Sequence, residues 1–203
     1  MIMVDALTVQ PDRRDLPPVS VVIGASSLEP NVHALAALVN AAYGHHRVGV
    51  AEMRHRLTTA RNRVLHVALR DGRPVGCCSS TLHVPWCGPG CGHWGLLAVA
   101  PEAQGTGVAS ALVAAAEQRL ASHGISHVQM EYSYSKGEAF SERMLAWYED
   151  TLGYRGPASR HSGFRMCRKR LPGLDPSGGH AGCVQVLFKW FFAILLWACC
   201  GRY

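Results

Sequence analysis

The sequence lacks several features that would place it in other classes of protein. Residues 1–10 contain Asp5 and no long apolar core, so we do not expect a secretory signal. The 20 Lys and Arg residues outnumber the 14 Asp and Glu residues and give a formal net charge of +6. These basic residues are scattered and form no nucleic-acid motif, so we expect no nucleic-acid partner. No internal repeat is found, and 203 residues are enough for one α/β domain.

Cysteine, by contrast, is abundant, with eight residues. Because no secretory signal is found, we expect a reduced, cytoplasmic setting rather than a disulfide framework. His83, Cys87, Cys91 and His93 have the residue types of a tetrahedral zinc site, but their spacing does not match a standard zinc knuckle. We therefore predict no metal site.

Apolar periodicity and turn residues predict the order of the elements. Strands are predicted over residues 19–24, 64–69, 74–83, 94–99, 127–134, 154–155 and 164–169, and helices over residues 30–43, 51–61, 108–123 and 141–152. The Asp71-Gly72 pair indicates a tight hairpin between the second and third strands. In the third helix, Glu117, Gln118 and Arg119 are expected to face water. The order predicts one mixed α/β domain over residues 18–172, after a loose leader over residues 1–17.

A glycine-rich segment, residues 104–109, lies where the fourth strand gives way to the third helix. The start of a helix exposes unpaired N–H groups and a partial positive charge, and glycines allow a phosphate to approach the backbone closely. The dinucleotide pattern G-x-G-x-x-G would need glycine at Ser110, and no Gly-Lys-Ser/Thr tripeptide follows. A phosphate site of another kind is therefore indicated, and a tight turn without a ligand is the alternative.

The segment resembles the signature of the GNAT superfamily of N-acetyltransferases, Gln/Arg-x-x-Gly-x-Gly/Ala, with Gln104, Gly107 and Ala109 in the matching positions. Residues 96–101 are similar to the strand and proline turn before that signature. Residues 141–154 are similar to the family's helix, in which a tyrosine precedes Leu-Gly-Tyr/Phe. The resemblance implies the fold of a GNAT-like acyl-CoA N-acyltransferase, with a mixed central β-sheet flanked by helices.

The resemblance also implies how acetyl-CoA, the expected cosubstrate, would be bound. The fourth and fifth strands would splay apart, and the pantetheine arm would pair with the backbone of the fourth strand. The N–H group of Val99 could also stabilise charge that develops on the thioester oxygen. Ser141 replaces an asparagine that is common at the start of the family's last helix, where it can cap that helix. The residues implied in cofactor binding are Leu97, Ala98, Val99, Gln104, Gly105, Thr106, Gly107, Val108, Ala109 and Ser141.

Three residues are candidates for acid–base catalysis in direct transfer to an amine. An alkylammonium has a pKa of about 10, so a base is needed to release the neutral nucleophile at pH 7. His93, just before the fourth strand, is the first candidate base, and Glu131 on the fifth strand is the second. Tyr148 matches the tyrosine that acts as general acid in many members of the family, and a core tyrosine is the alternative.

The C-terminal segment, residues 173–203, is read as a linker and an apolar tail. Residues 183–200 are apolar apart from Gln185 and Lys189, and a lysine at the centre of a bilayer costs about 3 kcal/mol. Membrane association through this tail is one expectation. The alternatives are a helix packed on the domain, a helix that binds a partner, or sequence foreign to the domain.

The sequence therefore predicts an N-acetyltransferase that moves an acetyl group from acetyl-CoA to a primary amine of a small molecule or peptide. The alternative is a catalytically inactive acyl-CoA-binding module, with or without a membrane tether. The acceptor and the oligomeric state are not predicted.

Overall fold

The central sheet of the computed structural model has six strands, which lie in the order in which they follow along the chain. The strands are β1 (Ser20–Ile23), β2 (Arg63–Arg70), β3 (Arg73–Thr81), β4 (Cys91–Val99), β5 (His127–Tyr134) and β6 (Gly163–Arg170). Neighbouring strands are antiparallel except β4 and β5, which are parallel. The sheet is therefore mixed, as predicted.

The structure describes residues 19–23, 26–58, 62–158 and 161–172. The predicted leader, residues 1–17, and the predicted tail, residues 173–203, lie outside these ranges. The α-helices of the described residues are α1 (Val32–Tyr43), α2 (Val50–Thr58), α3 (Val108–Ser122) and α4 (Ala139–Leu145). Short 3-10 turns precede α1, at Ser26–Asn31, and follow β4, at Pro101–Ala103.

The hairpin between β2 and β3 closes at Asp71 and Gly72, as predicted. Both residues have positive φ, 50° for Asp71 and 74° for Gly72, which a two-residue type I′ turn requires. Arg70 pairs with Arg73 directly beside the turn. The end of this hairpin lies next to α3, because Ala100 N donates to Val75 O at 2.9 Å just before the chain turns into the helix.

Helices cover both faces of the sheet. On one face, α1 and α2 bury Leu35, Val39 and Met53 in a core that includes Leu65 and Val67 of β2. On the other face, α3 buries a second apolar stripe against β2, β3 and β4, formed by Val108, Leu112, Ala116 and Leu120.

Arg119 does not face water, contrary to the prediction from helical periodicity. Its side chain is buried, and Nη1 donates to Ser80 O at 3.3 Å and to Ser80 Oγ at 3.1 Å. The fully buried His66 contacts the same hydroxyl through Nε2 at 2.8 Å. Burial lowers the pKa of His66 to about 4, so this imidazole stays neutral beside the guanidinium. Arg119 therefore belongs to a polar cluster under α3 rather than to the solvated face of the helix, where Gln118 is exposed as expected.

The strands β4 and β5 separate soon after they begin. Their register pairs run only from Cys91 and His127 to His93 and Gln129, although β4 continues to Val99 and β5 to Tyr134. Leu96 has a φ of 52°, and the register with β3 shifts beside it, so β4 bulges where the separation starts. We call the opening between residues 94–99 of β4 and residues 130–134 of β5 the cleft.

The segment after β5 differs from the prediction in three ways. Glu138, not Ser141, is the N-cap of α4, and its carboxylate accepts from Phe140 N at 2.9 Å and Ser141 N at 2.6 Å. The helix then widens into a π-helical turn, Ala146–Thr151. The predicted strand at residues 154–155 is reduced to a single bridge between Arg155 and Arg168.

Candidate active site

The loop between β4 and α3 presents backbone donors at the mouth of the cleft. Gly105 and Gly107 have φ of 72° and 84°, and Gly107 is the N-cap of α3. The bond from Ala111 N to Gly107 O, at 3.0 Å, is the first of the helical i to i−4 type. The N–H groups of Val108 and Ala109 therefore lie ahead of the helical ladder, where an anion can accept from them.

The remaining side chains of this loop are held in place by the protein itself. Thr106 Oγ1 donates to Ala103 O at 2.7 Å and accepts from Arg70 Nη2 at 3.1 Å. Gln104 Nε2 donates to Val99 O at 3.3 Å, so the glutamine lies along the end of β4. The hydroxyl proton of Thr106 is therefore used within the loop.

Arg70 is a residue of this site that the sequence did not single out. Its Nη2 atom reaches the loop, whereas its buried Nε atom has no hydrogen-bond partner among the described residues. The guanidinium adds positive charge beneath the N-terminus of α3, which favours a phosphate there. Residues 36 positions apart form this contact, so no local pattern could have indicated it.

Val99, Ala98 and Leu97 lie on β4 at the side of the cleft. Ala98 and Val99 pair with Cys77 and Gly76 of β3, so β3 occupies one edge of β4. The other edge has no register partner on β5 beyond His93. An extended ligand with its own donors and acceptors can pair along that edge.

His93 points over the cleft with a defined tautomer. Its Nδ1 atom lies 2.9 Å from Gln129 O, and a carbonyl oxygen only accepts, so Nδ1 carries the proton and Nε2 has a free lone pair. A Cβ atom at Gly95 would lie only 2.9 Å from Nε2. The basic nitrogen therefore lies directly above Gly95, at the point where the strands part.

The surroundings of His93 keep the imidazole neutral. Burial lowers its pKa, while the bond to Gln129 O and the charge of Glu131 oppose this effect, and Arg63 reinforces it. Glu131 is exposed on β5, two residues beyond Gln129. The ring of Trp86 packs edge-on against the imidazole, with the ring centroids 5.8 Å apart. The charge of Glu131 thus acts on the pKa of His93, and Gln129 O fixes the orientation of the His93 imidazole.

Tyr148 lies at the inner wall of the cleft, on the π-helical turn. Its ring is 4.7 Å from Tyr132 of β5 and 6.0 Å from Trp94 of β4, measured between centroids. The side chain is buried, and its hydroxyl has no hydrogen-bond partner among the described residues. Burial raises the pKa of the phenol well above its usual range, so it holds its proton. Tyr148 therefore packs in the core, as the alternative expected, and its ring also contacts both splayed strands, so its role as general acid stays a prediction.

Ser141 is buried in the first turn of α4, and its N–H group donates to Glu138. The carboxylate of Glu138 accepts hydrogen bonds from the N–H groups of Phe140 and Ser141, and these bonds lower its pKa. The bond from Phe140 has the larger effect. Ser141 is therefore engaged by the helix cap.

The loop from β3 to β4 contains a disulfide between Cys87 and Cys91, so the expected reduced state does not hold for this pair, whereas Cys77, Cys78 and Cys167 are free thiols. Two of the four cysteine and histidine residues considered as zinc ligands are joined in it. Within the described ranges, no group of three or more His, Cys, Asp or Glu residues is arranged to hold a metal ion. In the same part of the chain, no helix has the length and apolar character to cross a membrane.

Residues 32–154 match the sequence profile of the acetyltransferase (GNAT) family. The chain belongs to the GNAT family. No curated protein sequence matches it. Solved structures of GNAT acetyltransferases share the fold of this chain. In this chain the fold is a mixed sheet of six strands flanked by helices.

Three of these structures show the range of acetyltransferases with this fold. The chain is 12% identical to an aminoglycoside 6′-N-acetyltransferase solved with coenzyme A, with 75% of this chain and 97% of that one covered and a TM-score of 0.60. It is 11% identical to the ribosomal-protein-S18-alanine N-acetyltransferase of Escherichia coli, with 81% and 99% covered and a TM-score of 0.58. It is 20% identical to the N-acetylglutamate synthase of Neisseria gonorrhoeae, solved with coenzyme A and N-acetyl-glutamate, with 76% and 35% covered and a TM-score of 0.52.

Proposed function

We propose that this GNAT protein is an N-acetyltransferase that moves an acetyl group from acetyl-CoA to a primary amine of a small molecule or peptide. The observation that carries the proposal is the position of His93. Its free Nε2 atom lies over Gly95, where β4 and β5 part, and not in a closed core. A module that only bound the donor would not need an oriented base at this point.

The residues present fit acetyl-CoA, whose thioester would supply an activated acetyl group. The N–H groups at the start of α3 and the charge of Arg70 suit its pyrophosphate, and the glycines leave the backbone open to it. The unpaired edge of β4 at residues 97–99 suits the amides of its pantetheine arm.

The base acts on the acceptor. A primary ammonium has a pKa of about 10 and must lose a proton before its nitrogen can attack. The neutral His93 accepts that proton at Nε2, while Gln129 O holds Nδ1–H and stabilises the imidazolium that forms. Glu131 adds negative charge nearby and raises the basicity of His93.

The acid acts on the leaving group. A thiolate leaves more readily when it receives a proton, and Tyr148 retains its own at neutral pH because burial raises its pKa. The phenol ring lies against Trp94 of β4 and Tyr132 of β5, one from each of the two strands that separate. Tyr148 thus supplies the proton for the leaving thiolate from the buried side of the cleft.

Thiol release from acetyl-CoA across a panel of amines, amino acids and peptides tests the proposal. Tyr148→Phe removes only the hydroxyl, and we expect thiol release to fall about 100-fold while acetyl-CoA binding is unchanged. Tight acetyl-CoA binding without thiol release on any acceptor would instead identify an inactive acyl-CoA-binding module.

A further inference from the structure

A row of five side chains crosses the sheet on the face that carries His93. Arg63 pairs with Thr81, Thr81 with His93, His93 with Gln129, and Gln129 with Arg168. Directly paired residues point to the same side of a sheet. The row therefore places one arginine on each side of the candidate base.

Both arginines lean inward along this row. Arg63 Nε donates to Thr81 Oγ1 at 3.2 Å, so its side chain crosses β3 towards β4. Arg168 Nε donates to Gln129 Oε1 at 2.9 Å, so its side chain crosses β5 towards β4 from the opposite direction. Among the residues that the structure describes, neither guanidinium has a carboxylate partner. Their remaining N–H groups are available to a ligand beside His93.

The next positions along the same face combine one acid with apolar groups. Glu131 pairs with Met166 and Ser133 with Phe164, so these residues lie on the face of His93, one and two rows further on. Met166 and Phe164 are 47% and 83% exposed, which is unusual for side chains of this size. Glu131 is exposed beside them.

We propose that the acceptor is an amino acid with an apolar side chain. Its carboxylate binds the guanidinium groups of Arg63 and Arg168, its amine lies between His93 Nε2 and Glu131, and its side chain contacts Met166 and Phe164. The arginines and the imidazole share one row, so the amine and the carboxylate must be close together, as they are on one carbon. This inference rests on the proposed function and names the substrate of that site.

The charges of the site also disfavour other amines. Two guanidinium groups beside a neutral imidazole leave an excess of positive charge over the single carboxylate of Glu131. An acceptor with several ammonium groups and no anion would leave both arginines unpaired and repel them. Polyamines and aminoglycosides are therefore expected to be poor acceptors.

Kinetics with matched acceptors tests the inference. Methionine and phenylalanine are compared with methioninamide and phenylalaninamide, which keep the amine and the side chain but lose the carboxylate. For Arg63→Gln and Arg168→Gln, we expect the ratio of kcat/KM for the acid to that for the amide to fall about tenfold, since each loses a charge-assisted hydrogen bond. Arg170→Gln, an exposed arginine one row further from the cleft, should leave the ratio within about twofold.

The outcomes separate the acceptor from the reaction. An unchanged ratio in both arginine variants, or turnover only of amines without a carboxylate, would overturn the inference and leave the acetyltransferase in place. If no acceptor is acetylated, the binding of methionine to the protein saturated with coenzyme A is measured by calorimetry. This measurement tests the anion site separately from the transfer reaction. Binding that Arg168→Gln weakens tenfold would uphold the anion site and refute the transfer, whereas no binding would overturn both.

Discussion

His93 shows how much of the position of a candidate base is decided by single neighbours. The residue type and its place before the cleft could be predicted from the sequence, because an imidazole near a reactive strand is a natural base. Its tautomer could not, because this depends on Gln129 O, 36 positions away along the chain. The direction of Nε2 depends in turn on the missing side chain of Gly95.

Replacement of His93 by glutamine is expected to lower kcat/KM about 100-fold or more, because the base is lost while the side chain keeps a polar end. Since burial lowers the pKa of His93, the native enzyme holds the base form at pH 7, and activity should fall only as the pH drops below about 6.5. The pH–rate profile checks this, and the variant should lack that acid limb. His127→Gln, one row away on the same face, serves as the control.

Gly95→Ala tests the orientation of the same imidazole. The new Cβ would lie 2.9 Å from Nε2, so His93 must turn away, and we expect kcat to fall more than tenfold with acetyl-CoA binding retained. Gly88→Ala adds the same methyl group in the neighbouring loop, where nothing lies within 4 Å, and should be neutral. Equal kinetics for the two variants would show that the position of the imidazole is not critical.

At the scale of elements, the sequence predicted most boundaries of α1, α3, β2 and β5 to within two residues, since their apolar periodicity is strong. The start of α4 was wrong because Glu138, with a longer side chain than the usual capping residues, takes the position expected for Ser141. The π-helical turn was also missed, because a single extra residue in a turn leaves no periodic pattern.

The loop before α3 permits a test that separates strain from binding. Gly107 and Gly44 both have left-handed φ, 84° and 69°, and both have open space where a Cβ would be. Alanine at either position should lower the free energy of unfolding by about 1 kcal/mol. Only Gly107→Ala should also weaken acetyl-CoA binding, because its methyl group lies where the phosphates approach. Urea denaturation and calorimetry measure the two effects, and equal affinities would place the phosphates elsewhere.

At the scale of the whole molecule, a polar chain joins α3, β4 and β6. Lys169 Nζ donates to Glu117 Oε2 at 2.7 Å, Tyr154 donates its hydroxyl proton to Glu117 Oε1 at 2.7 Å, and Trp94 Nε1 donates to the Tyr154 hydroxyl at 2.5 Å. The members come from four separate parts of the sequence. Periodicity assigned Glu117 to the solvent side of α3, but the network covers it.

Glu117→Ala should therefore destabilise the protein although alanine is the better helix former. It leaves Lys169 and the Tyr154 hydroxyl without their acceptor, and we expect the free energy of unfolding to fall by about 2 kcal/mol in urea denaturation. Glu102→Ala, at an exposed position, should change it by less than about 0.5 kcal/mol. A Glu117 variant as stable as the Glu102 variant would show that the network adds nothing.

Long-range pairings account for most of what the sequence did not predict. The proposed donor site could be inferred from the sequence because residues 104–109 lie together in one loop. The row from Arg63 to Arg168 could not be predicted, because it joins residues of five strands. Which residues lie side by side in it depends on the register of those strands. Register follows from the whole sheet rather than from any one strand.

The parting of β4 and β5 divides the recognition of an extended donor into two parts that respond differently to ionic strength. At the start of α3, phosphates would be held by charge, which dissolved salt screens over about 10 Å at 0.1 M. Along residues 97–99, the contacts would be neutral amide hydrogen bonds within the sheet, which salt hardly affects. As the salt concentration rises, binding of the phosphates should therefore weaken first, while the acyl end of the donor stays aligned with His93.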